Sequence, residues 1–158
     1  MRQINGVMDY EKCDIADMAA VRTADFTNAT AGMVAITGLT IPLREMSTYE
    51  FEIMLTGTVT ADANGATFEI NYSGITTALE AILIGALTNA ACIAERIAAV
   101  ATPTTAILTT ASQSGGVLIK GIIQTGATAG NLTVACNHPA AGTTTIRIGS
   151  SIKTRKLE

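Results

Sequence analysis

Apolar and polar residues alternate most sharply over 48–60, TYEFEIMLTGTVT. Tyr49, Phe51, Ile53, Leu55 and Val59 fall on one side of an extended chain. Glu50, Glu52, Thr56, Thr58 and Thr60 fall on the other, the period-two signature of a half-buried strand. Asp62, Ala63, Asn64 and Gly65 follow as a turn. A second alternating run over 67–72 directs Phe68, Ile70 and Tyr72 inward and Glu69 and Asn71 outward. The spacing predicts one long hairpin over 48–72.

Further strands are expected near 21–26, 33–43, 78–87, 93–100, 104–110, 115–125, 129–138, 143–149 and 151–156, with Gly, Pro, Ser and Asn turns between them. Strands at this spacing predict an all-β sandwich or barrel. Gly38 and Pro42 interrupt the run over 33–43, which predicts a bulge or an edge position. Residues 79–100, LEAILIGALTNAACIAERIAAV, are ambiguous. Alanine and leucine favour helix, whereas alternation of Leu79, Ala81, Leu83 and Gly85 favours strand. A strand is expected over 78–86, and 90–100 stays open between strand and short helix.

Residues 1–22 carry a dense share of the charge and little alternation. They read as an N-terminal arm or short helix, with one helical turn starting at Asp14 and Ile15, Met18 and Ala19 facing inward. The chain thus divides into an arm over 1–22 and one β domain over 23–158. The stretch VLIKGIIQ at 117–124 is apolar on both faces: Val117, Ile119 and Ile123 on one, Leu118 and Ile122 on the other. A two-layer sandwich needs one apolar face per sheet. The second must meet the arm or another subunit, which makes Val117, Leu118, Ile119, Ile122 and Ile123 the candidate subunit interface.

Composition sharpens this. The chain has 158 residues, 48% of them hydrophobic but only 15% charged, against about 25% charged in an average domain. So little charge predicts surface buried against another chain. The net charge is −3, aromatic residues make up 4%, and the chain has no Trp. Binding to nucleic acid by phosphate contacts or base stacking is not expected. Lys153, Arg155 and Lys156 form a short basic tail, read as solvated. Cys13, Cys92 and Cys136 are odd in number and lack metal-ligand spacing, so a reduced compartment of synthesis is expected. The start of the chain shows no apolar signal core, and the apolar run over 79–87 is too short to span a membrane.

No residue cluster points to catalysis, a metal or a cofactor. His138, before Pro139, lacks an orienting carboxylate in sequence and reads as a turn residue. The 62–65 turn resembles the start of a calcium loop without its later ligands. Glu50 and Glu52 could be paired acids, but two residues on one exposed strand face explain them. Glu95 and Arg96 read as a surface pair, and Gly115 and Gly116 lack phosphate-loop context. Cys92 and Cys136 lie in apolar runs and are expected to be buried. An enzyme on a β scaffold would need clustered acids or a His partner in a cleft, so no enzymatic activity is expected.

Several segments in order carry a resemblance: TIPL at 40–43, STYEFEI at 47–53, the alternating strand at 66–72, IKGI at 119–122, AGNLTV at 129–134 and RIGSSI at 147–152. Together they resemble a group of tailed-bacteriophage virion proteins with a jelly-roll or TNF-like domain, over about residues 24–156. The resemblance implies a two-sheet antiparallel sandwich with an N-terminal arm. It also implies a homotrimeric capsid decoration protein that binds the major capsid protein or another virion protein. Its place would be the virion, after synthesis in the bacterial cytoplasm. Ile4, Val7, Met8 and Tyr10 of the arm are the candidate capsid contacts. A receptor-binding or tail-fibre head module is the alternative, against which the shortage of aromatic side chains for sugar stacking weighs. The group brings no catalytic residues.

Overall fold

The computed structural model describes residues 17–60, 65–88, 91–107, 114–138 and 142–157. Among them every regular element is a strand: β1 (Asp17–Val21), β2 (Phe26–Asn28), β3 (Val34–Leu43), β4 (Thr48–Val59), β5 (Thr67–Tyr72), β6 (Thr76–Thr88), β7 (Ala91–Ile97), β8 (Ser114–Thr125), β9 (Gly130–Asn137), β10 (Thr144–Ile146) and β11 (Ser151–Lys156). The larger sheet has eight strands. Its main path runs β1-β11-β4-β8-β6-β7, with β10 pairing both β4 and β2. The smaller sheet runs β3-β9-β5. Every pairing is antiparallel. The chain passes from one sheet to the other at β2 to β3, β3 to β4, β4 to β5, β5 to β6, β8 to β9 and β9 to β10. This is the expected two-sheet jelly-roll-like sandwich.

Strand β4 lies at the centre, paired with β8 on one side and with β11 and β10 on the other. Its inward residues Phe51, Ile53, Leu55 and Val59 are all buried, as the alternation requires. They meet Leu39 and Ile41 of β3, Phe68 and Ile70 of β5, and Leu132 and Val134 of β9 in one continuous core. Ile119 and Ile123 of β8, Leu83 of β6 and Ile152 of β11 extend that core along the larger sheet.

Several expectations are corrected. The runs at 48–60 and 67–72 do not form a hairpin: β4 pairs within the larger sheet and β5 with β9 in the smaller. Alternation fixes which side of a strand is buried, not which sheet the strand joins. Glu69 is buried rather than exposed, its carboxylate accepting a hydrogen bond from Asn71 Nδ2 at 2.7 Å. Asp17–Val21 is a strand paired with β11, not part of a helical turn; Met18 is half-buried and Ala19 is exposed. Of the run expected at 21–26, Val21 ends β1, Phe26 begins β2, and residues 22–25 connect them. The ambiguous region forms the hairpin of β6 and β7, because β8 offers a backbone partner along nearly the whole of β6. Of the strand expected over 104–110, the described residues 104–107 form a bridge between Ile107 and Ala66, and 108–110 lie outside the described residues.

Sheet edges are managed locally. Thr104 and Ala101 donate their N–H groups to the carbonyls of Phe68 and Ile70, both at 2.8 Å, so the segment 101–107 covers the free edge of β5. Strand β3 is an edge strand with an irregularity between Ala35 and Thr40, as Gly38 and Pro42 suggest. Gly38 has φ = +84°, a conformation in which a side chain would be strained.

Gly121 on β8 faces Phe51 on β4 and Ala81 on β6. A Cβ at this position would lie 2.4 Å from the Glu80 carbonyl oxygen and 2.5 Å from Ala81 Cβ. Gly121→Ala should therefore destabilise the domain by roughly 1–3 kcal/mol through overpacking. The expected readout is a lower urea midpoint at unchanged slope; an unchanged midpoint would show that β6 yields freely.

Candidate interaction surface

The outer face of the larger sheet gathers most of the side chains with binding potential. Antiparallel pairing places directly opposed residues on the same side of a sheet, so three rows can be read across it. The first is Asp17, Arg155, Glu50, Ile122 and Glu80; the second is Ala19, Lys153, Glu52, Lys120, Ile82 and Arg96. The third is Val21, Ser151, Met54, Leu118, Ile84 and Ala94. Charge thus occupies the first two rows, and the third is apolar apart from Ser151. Ile82 and Ile122 carry the apolar surface back into the charged rows.

The charges are paired within the face. Lys120 Nζ lies 3.2 Å from Glu50 and 4.0 Å from Glu52, Lys153 lies 2.7 Å from Glu52, and Arg155 lies 2.6 Å from Glu50. Arg96 donates through Nε to Glu80 at 2.8 Å and makes a second bond through Nη2. A groove of about 500 Å³ opens beside this network, with Met18 and Ala19 on one wall. The basic tail is therefore an ordered strand whose cations neutralise β4. Hydrogen bonding from Lys120, and then from Arg155, holds the Glu50 carboxyl below its ordinary range. Arg96 does the same to Glu80.

The apolar part is well exposed: Met54 is 54% exposed, Ile82 55%, Ile84 46% and Ile122 47%. The candidate interface on β8 splits in two. Val117, Ile119 and Ile123 point into the core at 4% exposure or less and are closed to a second chain, which corrects that part of the expectation. Leu118, half-buried, and Ile122 do stand on the outer face. Met54, Ile82 and Ile84 were not singled out from sequence. Met54 continues the outward series of Glu50 and Glu52, whereas helix–strand ambiguity hid the two isoleucines. The arm residues Ile4, Val7, Met8 and Tyr10 lie outside the described residues, as do Cys13 and the turn at Asp62.

Other candidate groups take structural places. His138 is buried at the end of β9, its backbone N–H donating to the Thr30 carbonyl at 3.3 Å. Glu95 does not pair with Arg96: it accepts the Thr105 N–H at 2.7 Å, while Arg96 turns to Glu80. Gly115 and Gly116 lie within β8. Cys136 is buried, and desolvation pushes its thiol up to about 12. Cys92 is exposed on edge strand β7, contrary to expectation. Among the described residues no group of three or more His, Cys, Asp and Glu side chains is placed to hold a metal ion.

No family model matches the sequence, and no curated protein matches it. Among solved structures, the chain is similar to Eiger TNF from S. frugiperda at 10% identity, covering 90% of this chain and 94% of that one, with a TM-score of 0.44. The infectious bursal disease virus Gx strain structure is similar at 13% identity, covering 87% of this chain and 38% of that one, with a TM-score of 0.22. The VP2 subviral particle of infectious bursal disease virus is similar at 12% identity, with 90% and 40% covered and a TM-score of 0.23. The chain spans about two fifths of the length of these viral chains.

Two outcomes follow from the ion pairs and the thiols. A carboxyl whose pKa is lowered by folding stabilises the fold above its unfolded value, here near 4.5, and loses that contribution as pH falls through the folded value. Glu50→Gln should therefore weaken the pH dependence of stability below about 4.5; denaturant midpoints at pH 6, 4 and 3 check this. An unchanged acid limb would show that the pairs are fully screened. In thiol labelling followed by peptide mapping, Cys92 should be modified in the native protein and Cys136 only after unfolding.

Proposed function

We propose that the chain is a virion structural protein, a head-decoration protein that reinforces a phage capsid shell by adding contact between shell subunits. The observation that carries this reading is the outer face of the larger sheet. A chain with only 15% charged residues sets an uninterrupted apolar row, Met54, Leu118 and Ile84, beside an internally neutralised charge network. Such a surface is suited to burial against other protein chains. The residues that carry the resemblance to phage virion proteins supply the more specific part. TIPL lies on β3, STYEFEI enters β4, IKGI lies on β8, AGNLTV enters β9, and RIGSSI leads into β11.

A decoration protein acts through binding energy distributed over a surface and multiplied by copy number. Its partners under this reading are further copies of itself and the major capsid protein. The outer face is then shared among copies of the chain, and the proposed contacts with the shell are Ile4, Val7, Met8 and Tyr10 of the segment 1–22.

Sedimentation with shells tests the reading. The protein should pellet with capsid shells of its phage that lack it, saturate at a fixed number of copies, and stay bound in 0.5 M salt because attachment is largely apolar. Failure to pellet with such shells, combined with binding to the surface of host cells, would replace decoration by the receptor-binding module.

A further inference from the structure

We propose that the outer face of the larger sheet docks on the same face of a second copy, across a twofold axis nearly parallel to the strands and midway between β4 and β8. The inference builds on self-association in the reading above and names the surface and its symmetry. A twofold contact must be self-complementary: each residue on one side of the axis meets its mirror position from the partner. With the axis between β4 and β8, β4 lies on the partner's β8, β11 on the partner's β6, and β1 on the partner's β7. Two opposed positions then set charge on countercharge and two set apolar on apolar; Lys153 lies on Ile82, Arg96 on Ala19 and Ser151 on Ile84, and no like charges meet.

Nearest the axis, Met54 lies on the second copy's Leu118, and Glu52 lies on its Lys120. Farther out, Arg155 lies on the second copy's Glu80 and Val21 on its Ala94. Glu50 meets Ile122 but keeps its own Lys120 and Arg155 as partners.

Axes along β8 or β4 fail on charge, and axes midway between β11 and β4 or between β8 and β6 avoid like charges but overlap only four of the six strands. An axis along β8 would set Lys120 on Lys120, Glu50 on Glu80 and Lys153 on Arg96. One along β4 would set Glu50 and Glu52 on themselves. Like charges brought together this way oppose association. The face carries equal numbers of acids (Asp17, Glu50, Glu52, Glu80) and bases (Arg96, Lys120, Lys153, Arg155). It therefore presents no net field for a strongly charged partner, and complementarity rests on register.

Size and shape allow the contact. Six strands about 4.8 Å apart and three rows about 7 Å apart give a projected area of roughly 600 Å². The accessible area of such a corrugated face is of the order found on each side of a stable interface, about 800 Å². Packed sheets rotate by about 30° relative to one another, which tilts the axis about 15° from the strand direction. The central pairs stay in register under that rotation, and the long Arg155 and Glu80 side chains span the offset farther out.

The test uses the full chain and complementary variants at the central pair. Wild-type protein should run as a dimer of about 33 kDa by light scattering, twice the 16.3 kDa chain. Leu118→Lys and Met54→Glu should each weaken self-association by roughly a hundredfold. Mixing the two variants should restore a heterodimer, because lysine at 118 then faces glutamate at 54 across the axis. Unchanged circular dichroism melts would confirm that both variants fold. A wild-type trimer, the stoichiometry implied by the sequence resemblance, would overturn the twofold pairing and leave the virion reading standing. Failure of two folded variants to associate on mixing would overturn it as well. A wild-type monomer that still pellets with shells would remove self-association while sparing decoration.

Discussion

The register of β4 is the constraint from which the rest of the structure follows. Its twelve residues alternate between core and outer face without a break. A slip of one residue would carry Glu50 and Glu52 into the core and turn Phe51 and Ile53 out to water. Burying two carboxylates without partners costs far more than a sheet of this size can absorb. Because β4 is held on both sides, its register fixes those of β8 and β11. Through β8 it also fixes that of β6. The ion pairs among Glu50, Glu52, Lys120, Lys153 and Arg155 result from that register. Each is exposed and weak alone, yet together they favour a single alignment of three strands.

This dependence explains how much could be read from the sequence. Alternation identified β4 and the inward residues of β5, because one buried face leaves a local mark, and turn residues bracketed the strands near 33–43, 115–125, 129–138 and 151–156. Sheet membership leaves none. Residues 61–66 are as short as a hairpin loop and equally able to cross between layers, so β4 and β5 were joined as a hairpin although they belong to different sheets. For 79–100, local preference pointed to helix, while pairing with β8 decided for strand. Tertiary partners override propensity of this size. The burial of Glu69 beside Asn71 and the exposure of Cys92 had no local signal, since both depend on what lies beside the strand rather than along it.

The candidate surface was half legible for the same reason. Leu118 and Ile122 stood out because β8 is apolar on both faces. Their neighbours Met54, Ile82 and Ile84 become visible only once three strands are aligned. The same two-sided pattern misled as well: Val117, Ile119 and Ile123 were grouped with the interface, but they belong to the core. A strand that is apolar on both sides announces a second contact without saying which side makes it.

The two outer faces of the sandwich are unlike, and the difference bears on what each can do. The smaller sheet presents rows such as Thr40, Thr133 and Asn71, or Pro42 and Asn131, which are short, neutral and easily hydrated. The outer face of the larger sheet carries half of the charged residues among those described, together with Ile82, Ile84 and Ile122. If those charges served solubility alone, they would be spread over both faces. Concentrated on one face and paired there, they cancel the net field, hold long side chains in place, and leave an apolar row accessible between them. A face of this kind attracts little at a distance but discriminates on contact, since a partner in the wrong register sets like charges together. In a chain with so little charge, placing it this way makes specificity a property of strand alignment. The register that keeps Glu52 out of the core is also the register that sets which residues a partner would meet.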